Sequence, residues 1–120
     1  MAKILIVDDD VMITTLMQSL VGIGGHQPIV VNDSTEALET AKSTDPDLIT
    51  LDLMMPNLSG YDICELLRAD PQFADTPIII ISAKEDTQSR EHAFALGANE
   101  YLNKPFNIDD FLDTIKRLTP

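Results

Sequence analysis

Short apolar runs alternate with segments of helical periodicity along the whole chain. Five runs predict β-strands, at residues 4–7, 29–31, 48–51, 78–81 and 101–102. The first and fourth runs are continuously apolar, which is typical of strands that are covered on both faces, as in a parallel sheet. We therefore expect a parallel sheet with helices on either side.

Between the runs, apolar side chains recur at the spacing of an α-helix, which predicts helix surfaces that face the core. They form three sets: Ile13, Leu16, Met17, Leu20 and Val21; Ile63, Leu66 and Leu67; and Ile108, Phe111, Leu112 and Ile115. We interpret these stripes as packing surfaces and not as part of a ligand site.

Glycines and polar residues mark the expected helix ends. Gly24 and Gly25 would close the first helix and Gly97 the fourth, because glycine readily adopts the left-handed conformation that often ends a helix. Asp33 and Glu36 are spaced like a capping box for the second helix.

The alternation predicts an α/β protein of the (βα)5 type, a flavodoxin-like doubly wound sandwich with helices on both faces of a five-stranded parallel sheet. The expected strand order is 2-1-3-4-5, which places the second strand at an edge. Pro28 would begin that strand, where a missing backbone donor is tolerated. Since 120 residues are sufficient for one core, we expect a single domain over residues 1–120.

Acidic residues number 20 and basic residues 8, a formal net charge of -12. Direct nucleic-acid binding is not expected, because a phosphate backbone requires a basic surface, whereas metal ions and basic partners fit better. The apolar run at residues 4–7 is too short for membrane insertion or for a signal peptide, so we expect a cytoplasmic protein. Cys64, the single cysteine, agrees with a reducing compartment and is expected to be a half-buried helix residue.

Polar side chains follow four of the five predicted strands. They are Asp8, Asp9 and Asp10 after the first, Asp52 after the third, Ser82 after the fourth, and Lys104 with Pro105 near the end of the fifth. The carboxyl ends of parallel strands share one edge of the sheet, where ligands usually bind. The carboxylates of Asp8, Asp9 and Asp52 would converge there and repel one another unless raised pKa values or a bound cation relieve the repulsion. Oxygen ligands suit Mg2+, and Lys104 and Ser82 add groups that bind phosphate, so this edge predicts phosphate chemistry.

Four stretches, ILIVDDD, DLITLDLMMPNLSGYD, PIIIISAK and GANEYLNKPF, resemble the receiver domain of two-component response regulators, in its chemotaxis-regulator-like form. The resemblance extends over essentially the whole chain, with the stretches in the family's order and spacing. It implies a phospho-acceptor signalling domain of a two-component or phosphorelay system. Asp52 would accept a phosphoryl group from a phosphohistidine on a sensor histidine kinase or a histidine phosphotransfer protein.

The resemblance also implies a metal site at this edge. Asp9 would bind Mg2+ directly and Asp8 mainly through water, Asp52 and the backbone carbonyl of Met54 would add further ligands, and Mn2+ could substitute for Mg2+. The chain would catalyse only its own Mg2+-dependent phosphorylation and dephosphorylation, and would not be an enzyme that turns over an external metabolite.

A switch is implied as well. Lys104 would bind a phosphoryl oxygen, and the peptide bond into Pro105 is expected to be cis. Ser82 would be the switch hydroxyl, and Tyr101 the aromatic side chain that changes rotamer with it. The face formed by the fourth helix, the fifth strand and the fifth helix would then control an output domain or a downstream effector.

Other classes of protein share part of this pattern. A haloacid-dehalogenase-like Mg2+ phosphohydrolase would use Asp8 as its nucleophile, but Met12 occupies the position of its usual Thr, and 120 residues leave little room for that fold. A flavodoxin-like flavin carrier needs a phosphate-binding loop after the first strand, where three carboxylates would repel the cofactor. A receiver-like binding module that ignores phosphorylation stays open. So does the context of the chain, which could be a complete regulator, a phosphorelay intermediate, or part of a longer regulator or hybrid kinase.

Several residues are not assigned to the site. His26 and His92 are isolated and are expected to have surface or packing roles. Asp10 is expected either to add to the acidic edge or to cap the first helix. Gly60 is expected where the third helix begins, in a backbone conformation that glycine tolerates best.

Overall fold

The computed structural model describes all 120 residues, and its centre is one sheet of five parallel strands. The strands are β1 (Lys3–Val7), β2 (Gln27–Val31), β3 (Leu48–Leu51), β4 (Ile78–Ser82) and β5 (Glu100–Asn103). Their order is β2-β1-β3-β4-β5, which confirms the predicted topology. Pro28 is the second residue of β2, and β2 is an edge strand.

The predicted strands agree with the structure to within one or two residues at each end. β3 has the predicted bounds, and the other four strands extend to polar residues such as Lys3, Gln27 and Ser82. Ser82, for example, is paired with Asn103 in the ladder between β4 and β5. Backbone pairing does not require an apolar side chain, so a strand can continue beyond its apolar run.

Five α-helices connect and follow the strands: α1 (Val11–Ile23), α2 (Ala37–Thr44), α3 (Gly60–Ala69), α4 (Thr87–Ala95) and α5 (Ile108–Leu118). Gly24 follows α1 directly, and Gly25 has a φ angle of 85°. Gly97, two residues beyond α4, has a φ angle of 110°. The predicted glycine-marked ends of α1 and α4 are therefore confirmed. None of the helices is both long and apolar enough to cross a membrane.

The predicted capping box of the second helix is wrong. Asp33 instead caps a single 3-10 turn (Ser34–Glu36), and its Oδ1 atom accepts hydrogen bonds from the backbone N–H and the hydroxyl of Thr35. The helix α2 begins later, at Ala37, and Glu36 at its N-cap makes no side-chain capping bond. The extra turn separates the aspartate from the helix that it was expected to cap.

The core consists of two layers, one on each face of the sheet. One layer packs α2, α3 and α4 against the strands and contains Ile63 and Leu67 of α3. The other packs α1 and α5 against the opposite face and contains Met17 and Phe111. Helices therefore cover both faces of the sheet, as the apolar strand runs predict, and leave uncovered only its outer strands and the ends of its strands.

Three residues of the predicted stripes are not in the core. Leu16, Leu66 and Ile108 are 42%, 44% and 48% exposed. Leu16 and Leu66 each precede a buried apolar residue, so the run of apolar residues reaches further round the helix than the sheet can cover. Cys64 differs in the other direction, because it is fully buried in α3 and not half-buried.

Candidate functional site

Asp8, Asp9 and Asp52 come together at the carboxyl edge of the sheet. Val7 and Leu51 are neighbours in the pairing of β1 with β3, so the aspartates that follow them leave the sheet side by side. One carboxylate oxygen from each of the three aspartates lies within 4.8 Å of the other two. Asp8 and Asp52 are buried, whereas Asp9 is exposed. The convergence expected from the strand ends is therefore present.

Lys104 reaches the same edge from the loop between β5 and α5. Its Nζ atom lies 2.7 Å from Asp8 Oδ2 and 3.4 Å from Asp52 Oδ1. Its backbone N–H donates to the carbonyl of Ser82 at 2.8 Å, which ties the loop to the end of β4. The peptide bond between Lys104 and Pro105 is cis, as expected. The ammonium group thus bridges Asp8 and Asp52, with the shorter contact to Asp8.

The environment of Asp52 disfavours its charge. Burial and the nearby charge of Asp8 raise the pKa of Asp52 from 3.8 to about 6, although Lys104 opposes the rise. Burial also disfavours the charged form of Lys104, but its hydrogen bonds and charge interactions with Asp8 and Asp52 outweigh this effect and raise its pKa. Three carboxylates and one ammonium leave an excess of negative charge. This excess, and a donor set made of oxygen atoms, fit a divalent cation.

Asp10 caps α1 and is not part of the carboxylate cluster. Its Oδ1 atom accepts hydrogen bonds from the N–H groups of Met12 and Ile13 at 3.0 and 3.3 Å. Its own N–H donates to Asp8 Oδ1 at 2.9 Å. Both oxygens of Asp8 are therefore engaged, one by this backbone N–H and the other by Lys104.

Gly60 lies at the start of α3, directly behind Asp52. Its φ angle is not in the left-handed region, so the predicted conformational reason for glycine is wrong. The reason is space, because a Cβ atom at this position would overlap the backbone carbonyl of Asp52. The N–H of Gly60 donates to the carbonyl of Leu53 at 3.0 Å, which closes the loop that also carries Met54. The side chain of Met54 is exposed.

Ser82 is the last residue of β4 and Tyr101 the second residue of the neighbouring strand β5, and both are buried. The Ser82 hydroxyl oxygen accepts a hydrogen bond from the N–H of Lys84 at 3.1 Å. The Tyr101 hydroxyl donates to the carbonyl of Lys84 at 2.7 Å, and the guanidinium of Arg90 lies 5.0 Å from the centre of the tyrosine ring. Both side chains thus contact one residue of the loop between β4 and α4.

Both histidines have packing roles, as expected. The Nδ1 atom of His26 accepts a hydrogen bond from the N–H of Ala2 at 3.1 Å. The ring of His92 is stacked on Tyr61, with 4.3 Å between the ring centres. Neither histidine belongs to the carboxylate cluster.

Sequence reasoning missed Asn32 and Ser34, which follow β2 and contact both loops of the carboxylate cluster. Asn32 donates to the carbonyl of Asp8, and Ser34 donates to the carbonyl of Pro56. The strand-end argument that found the aspartates applies equally to β2, and extending it to this strand would have placed both residues near the site, although not their hydrogen bonds.

Comparisons with known proteins identify the family. Residues 4–116 match the family model of the response regulator receiver domain. The DNA-binding dual master transcriptional regulator RpaA of Synechocystis sp. is 35% identical over 118 residues, which are 98% of this chain and 49% of that protein. The probable transcriptional regulator ycf27 of Porphyridium aerugineum is 40% identical over 105 residues, which are 88% of this chain and 42% of that protein. The chain thus spans about half the length of these relatives.

Solved structures agree. The chemotaxis protein CheY4 of Vibrio cholerae has a TM-score of 0.93 at 30% identity, and the match covers 98% of both chains. The receiver domain of the Francisella response regulator 1452 has a TM-score of 0.91 at 33% identity, and covers 98% of this chain and 96% of that one. The match over nearly the whole chain decides against the phosphohydrolase and the flavin carrier. The chain belongs to the response regulator receiver domain family, a family of signalling domains of two-component systems.

Proposed function

We propose that this chain accepts a phosphoryl group on Asp52 and passes the resulting change in charge and shape to an output domain or a partner protein. The observation that carries the proposal is the placement of Asp52. It is a buried carboxylate at the open edge of the sheet, with Asp8 and Asp9 on one side and the ammonium group of Lys104 within 3.4 Å. Membership of the receiver family supports the same role.

In the proposed reaction a carboxylate oxygen of Asp52 attacks the phosphorus atom of a phosphohistidine. The new O–P bond forms as the P–N bond breaks, and the imidazole keeps the electron pair and takes up a proton. Phosphoryl transfer depends mainly on alignment and on neutralisation of charge. Lys104 would contribute by binding a phosphoryl oxygen, and the rigid end of β3 would hold the attacking oxygen in place.

Mg2+ is the proposed cofactor, and Mn2+ could replace it. Asp9, Asp8, Asp52 and the backbone carbonyl of Met54 would hold the ion, with Asp8 acting mainly through water. When bound, the ion would neutralise charge on the phosphoryl oxygens. The three clustered carboxylates, which outnumber the one lysine, support this assignment.

Phosphorylation would add about one negative charge at Asp52. We propose that the Ser82 hydroxyl then turns toward the phosphoryl oxygens and gives up its hydrogen bond with Lys84. Because Tyr101 donates to the carbonyl of the same lysine, the loop between β4 and α4 would transmit the change to the face formed by α4, β5 and α5. In the present structure the tyrosine ring is already buried, so a rotamer change of Tyr101 stays a prediction.

The proposed partners are a sensor histidine kinase or a histidine phosphotransfer protein upstream, and an effector downstream. Residues 1–120 would act as one receiver domain in the cytoplasm. They would catalyse their own phosphorylation and dephosphorylation and turn over no external metabolite. Some relatives are named as DNA-binding regulators. For this chain, with its net charge of -12, we propose no direct contact with nucleic acid.

Intact mass after incubation with acetyl phosphate and Mg2+ tests the proposal. The native chain is expected to gain one alkali-labile phosphoryl group, and Asp52→Asn or a sample with chelator none. Asp113→Asn, a change on the exposed face of α5, is the matched control and should load normally. If acetyl phosphate does not load the native chain, the deciding experiment is incubation with a kinase that supplies a phosphohistidine. Failure there would favour a binding module that ignores phosphorylation.

A further inference from the structure

The turn between β2 and α2 contributes nothing to the carboxylate cluster, yet it contacts both loops that carry the cluster. We refer to Asn32 and Ser34 of this turn as the bracket. We propose that the two bracket residues are positioning residues, which hold the loop after β1 and the loop after β3 at the separation that binding of a divalent cation requires. The inference rests on the proposed function, because it concerns the same metal site.

Ser34 holds the loop after β3. Its hydroxyl donates to the carbonyl of Pro56 at 2.6 Å and accepts from the N–H of Leu58 at 3.2 Å. These two hydrogen bonds lie on either side of Asn57, which has a φ angle of 73°, in the left-handed region that asparagine adopts more readily than most residues. The side chain of Ser34 is buried, so water cannot easily replace either hydrogen bond. Ser34 therefore fixes the middle of the loop that runs from Asp52 to Gly60.

Asn32 holds the loop after β1. Its Nδ2 atom donates to the carbonyl of Asp8 and to the hydroxyl of Thr14, both at 3.0 Å. One residue earlier, the carbonyl of Val31 accepts a hydrogen bond from the N–H of Asp8 at 3.2 Å. The backbone of Asp8 is thus held at its N–H by the last residue of β2 and at its carbonyl by Asn32 of the turn that follows.

The bracket matters because the carboxylates come from different loops and repel one another. Asp8 and Asp9 belong to one loop and Asp52 to the other, and the single ammonium of Lys104 compensates only part of the repulsion between their three carboxylates. Mg2+ requires nearly ideal octahedral geometry, so a small change in loop separation weakens binding. Groups that orient metal ligands without touching the metal commonly change metal affinity by about 10- to 100-fold.

Isothermal titration of Mg2+ into Ser34→Ala and Asn32→Ala, beside the native chain, tests the bracket. We expect each variant to bind Mg2+ about 10-fold more weakly than the native chain. Ser43→Ala is the matched control, because it removes a hydroxyl from an exposed position on α2 that contacts only the carbonyl of Thr40. Its Mg2+ affinity should be native.

Phosphoryl loading separates positioning from a general loss of structure. At saturating Mg2+ the loading rates of both bracket variants should return close to the native rate, since the reacting groups are unchanged. A rate that stays low at saturating Mg2+, in a chain that binds Mg2+ normally, would contradict the inference.

Equal Mg2+ affinity in the native chain and in both variants would overturn the inference about the bracket residues and leave the proposed function intact. Failure of the native chain to bind Mg2+ and to load would instead overturn the proposed function. Asn32 is exposed and Ser34 is buried, so Asn32→Ala is expected to fold even if Ser34→Ala does not. In that case the Mg2+ affinity of Asn32→Ala alone decides whether the inference holds. Urea unfolding with chelator present checks the fold of each variant.

Discussion

Asp8, Asp9 and Asp52 carry the same functional group in three different surroundings. Both oxygens of Asp8 are engaged by strong donors, the backbone N–H of Asp10 and the ammonium of Lys104. Asp9 is exposed to solvent. Asp52 is buried, and its contact with Lys104 is the longer of the two, at 3.4 Å. It is therefore the carboxylate whose negative charge is least compensated, and the one that gains most from a cation.

The poorly compensated charge of Asp52 makes the stability of the fold depend on pH. The pKa of Asp52 is about 6 in the folded chain against 3.8 when unperturbed, so between these values the folded state binds the proton more tightly. Stability is therefore lost as pH rises through this window, by about 3 kcal/mol in total. We expect metal-free Asp52→Asn to be more stable than the native chain at pH 7.5, and the difference to disappear near pH 4. Urea unfolding followed by circular dichroism measures both.

Two controls accompany this prediction. Asp113→Asn, which changes an exposed carboxylate on α5, should not reproduce the pH-dependent gain. Added Mg2+ should stabilise the native chain more than Asp52→Asn, because a ligand stabilises the folded state according to its affinity and the variant lacks one of the proposed metal ligands. A gain in Asp52→Asn that is the same at pH 4 and pH 7.5 would show that charge on Asp52 is not its cause.

At the scale of elements, the start of α3 and the end of β3 are packed so closely that only glycine fits between them. A Cβ atom on Gly60 would overlap the carbonyl of Asp52 and approach the Cα atom of Leu53, both of them backbone atoms that cannot rotate away. The helix therefore positions Asp52 from behind, through backbone contact alone.

Gly60→Ala is expected to destabilise the chain by about 1–3 kcal/mol, the usual cost of overpacking, and to slow phosphoryl loading because the end of β3 must shift. Gly22→Ala is the matched control. A Cβ atom there meets nothing within 4 Å, and alanine in a helix is favoured over glycine by about 1 kcal/mol. The unfolding temperature should fall for Gly60→Ala and rise for Gly22→Ala, and only Gly60→Ala should be loaded more slowly than the native chain. Native behaviour of Gly60→Ala would contradict the close approach.

The sequence predicted the elements well because their signals are local. Apolar runs located all five strands, and the strand ends located the three aspartates and Lys104. Contacts distant in sequence leave no such pattern. The hydroxyl of Ser34 binds a carbonyl 22 residues away, and nothing near it in sequence indicates that contact. The close approach of Gly60 to the backbone of Asp52 and Leu53 likewise leaves no pattern in the sequence.

At the scale of the whole molecule, the two core layers hold the sheet rigid while its carboxyl edge stays open. α2, α3 and α4 cover one face and α1 and α5 the other, so the site loops rest on a rigid scaffold. The face of α4, β5 and α5 meets the site through Ser82 at the end of β4 and Lys84 in the loop that follows. A change of charge at Asp52 can therefore alter this face through only a few hydrogen-bonded residues.

The most direct test of the central claim is to locate the phosphoryl group in the chain. After loading with acetyl phosphate and Mg2+, borohydride reduces an aspartyl phosphate to homoserine, and peptide mass spectrometry identifies the residue that has changed. We predict homoserine at position 52 and at no other aspartate. Homoserine at position 8 or 9, or a loaded chain with none at position 52, would contradict the role of Asp52 as phospho-acceptor.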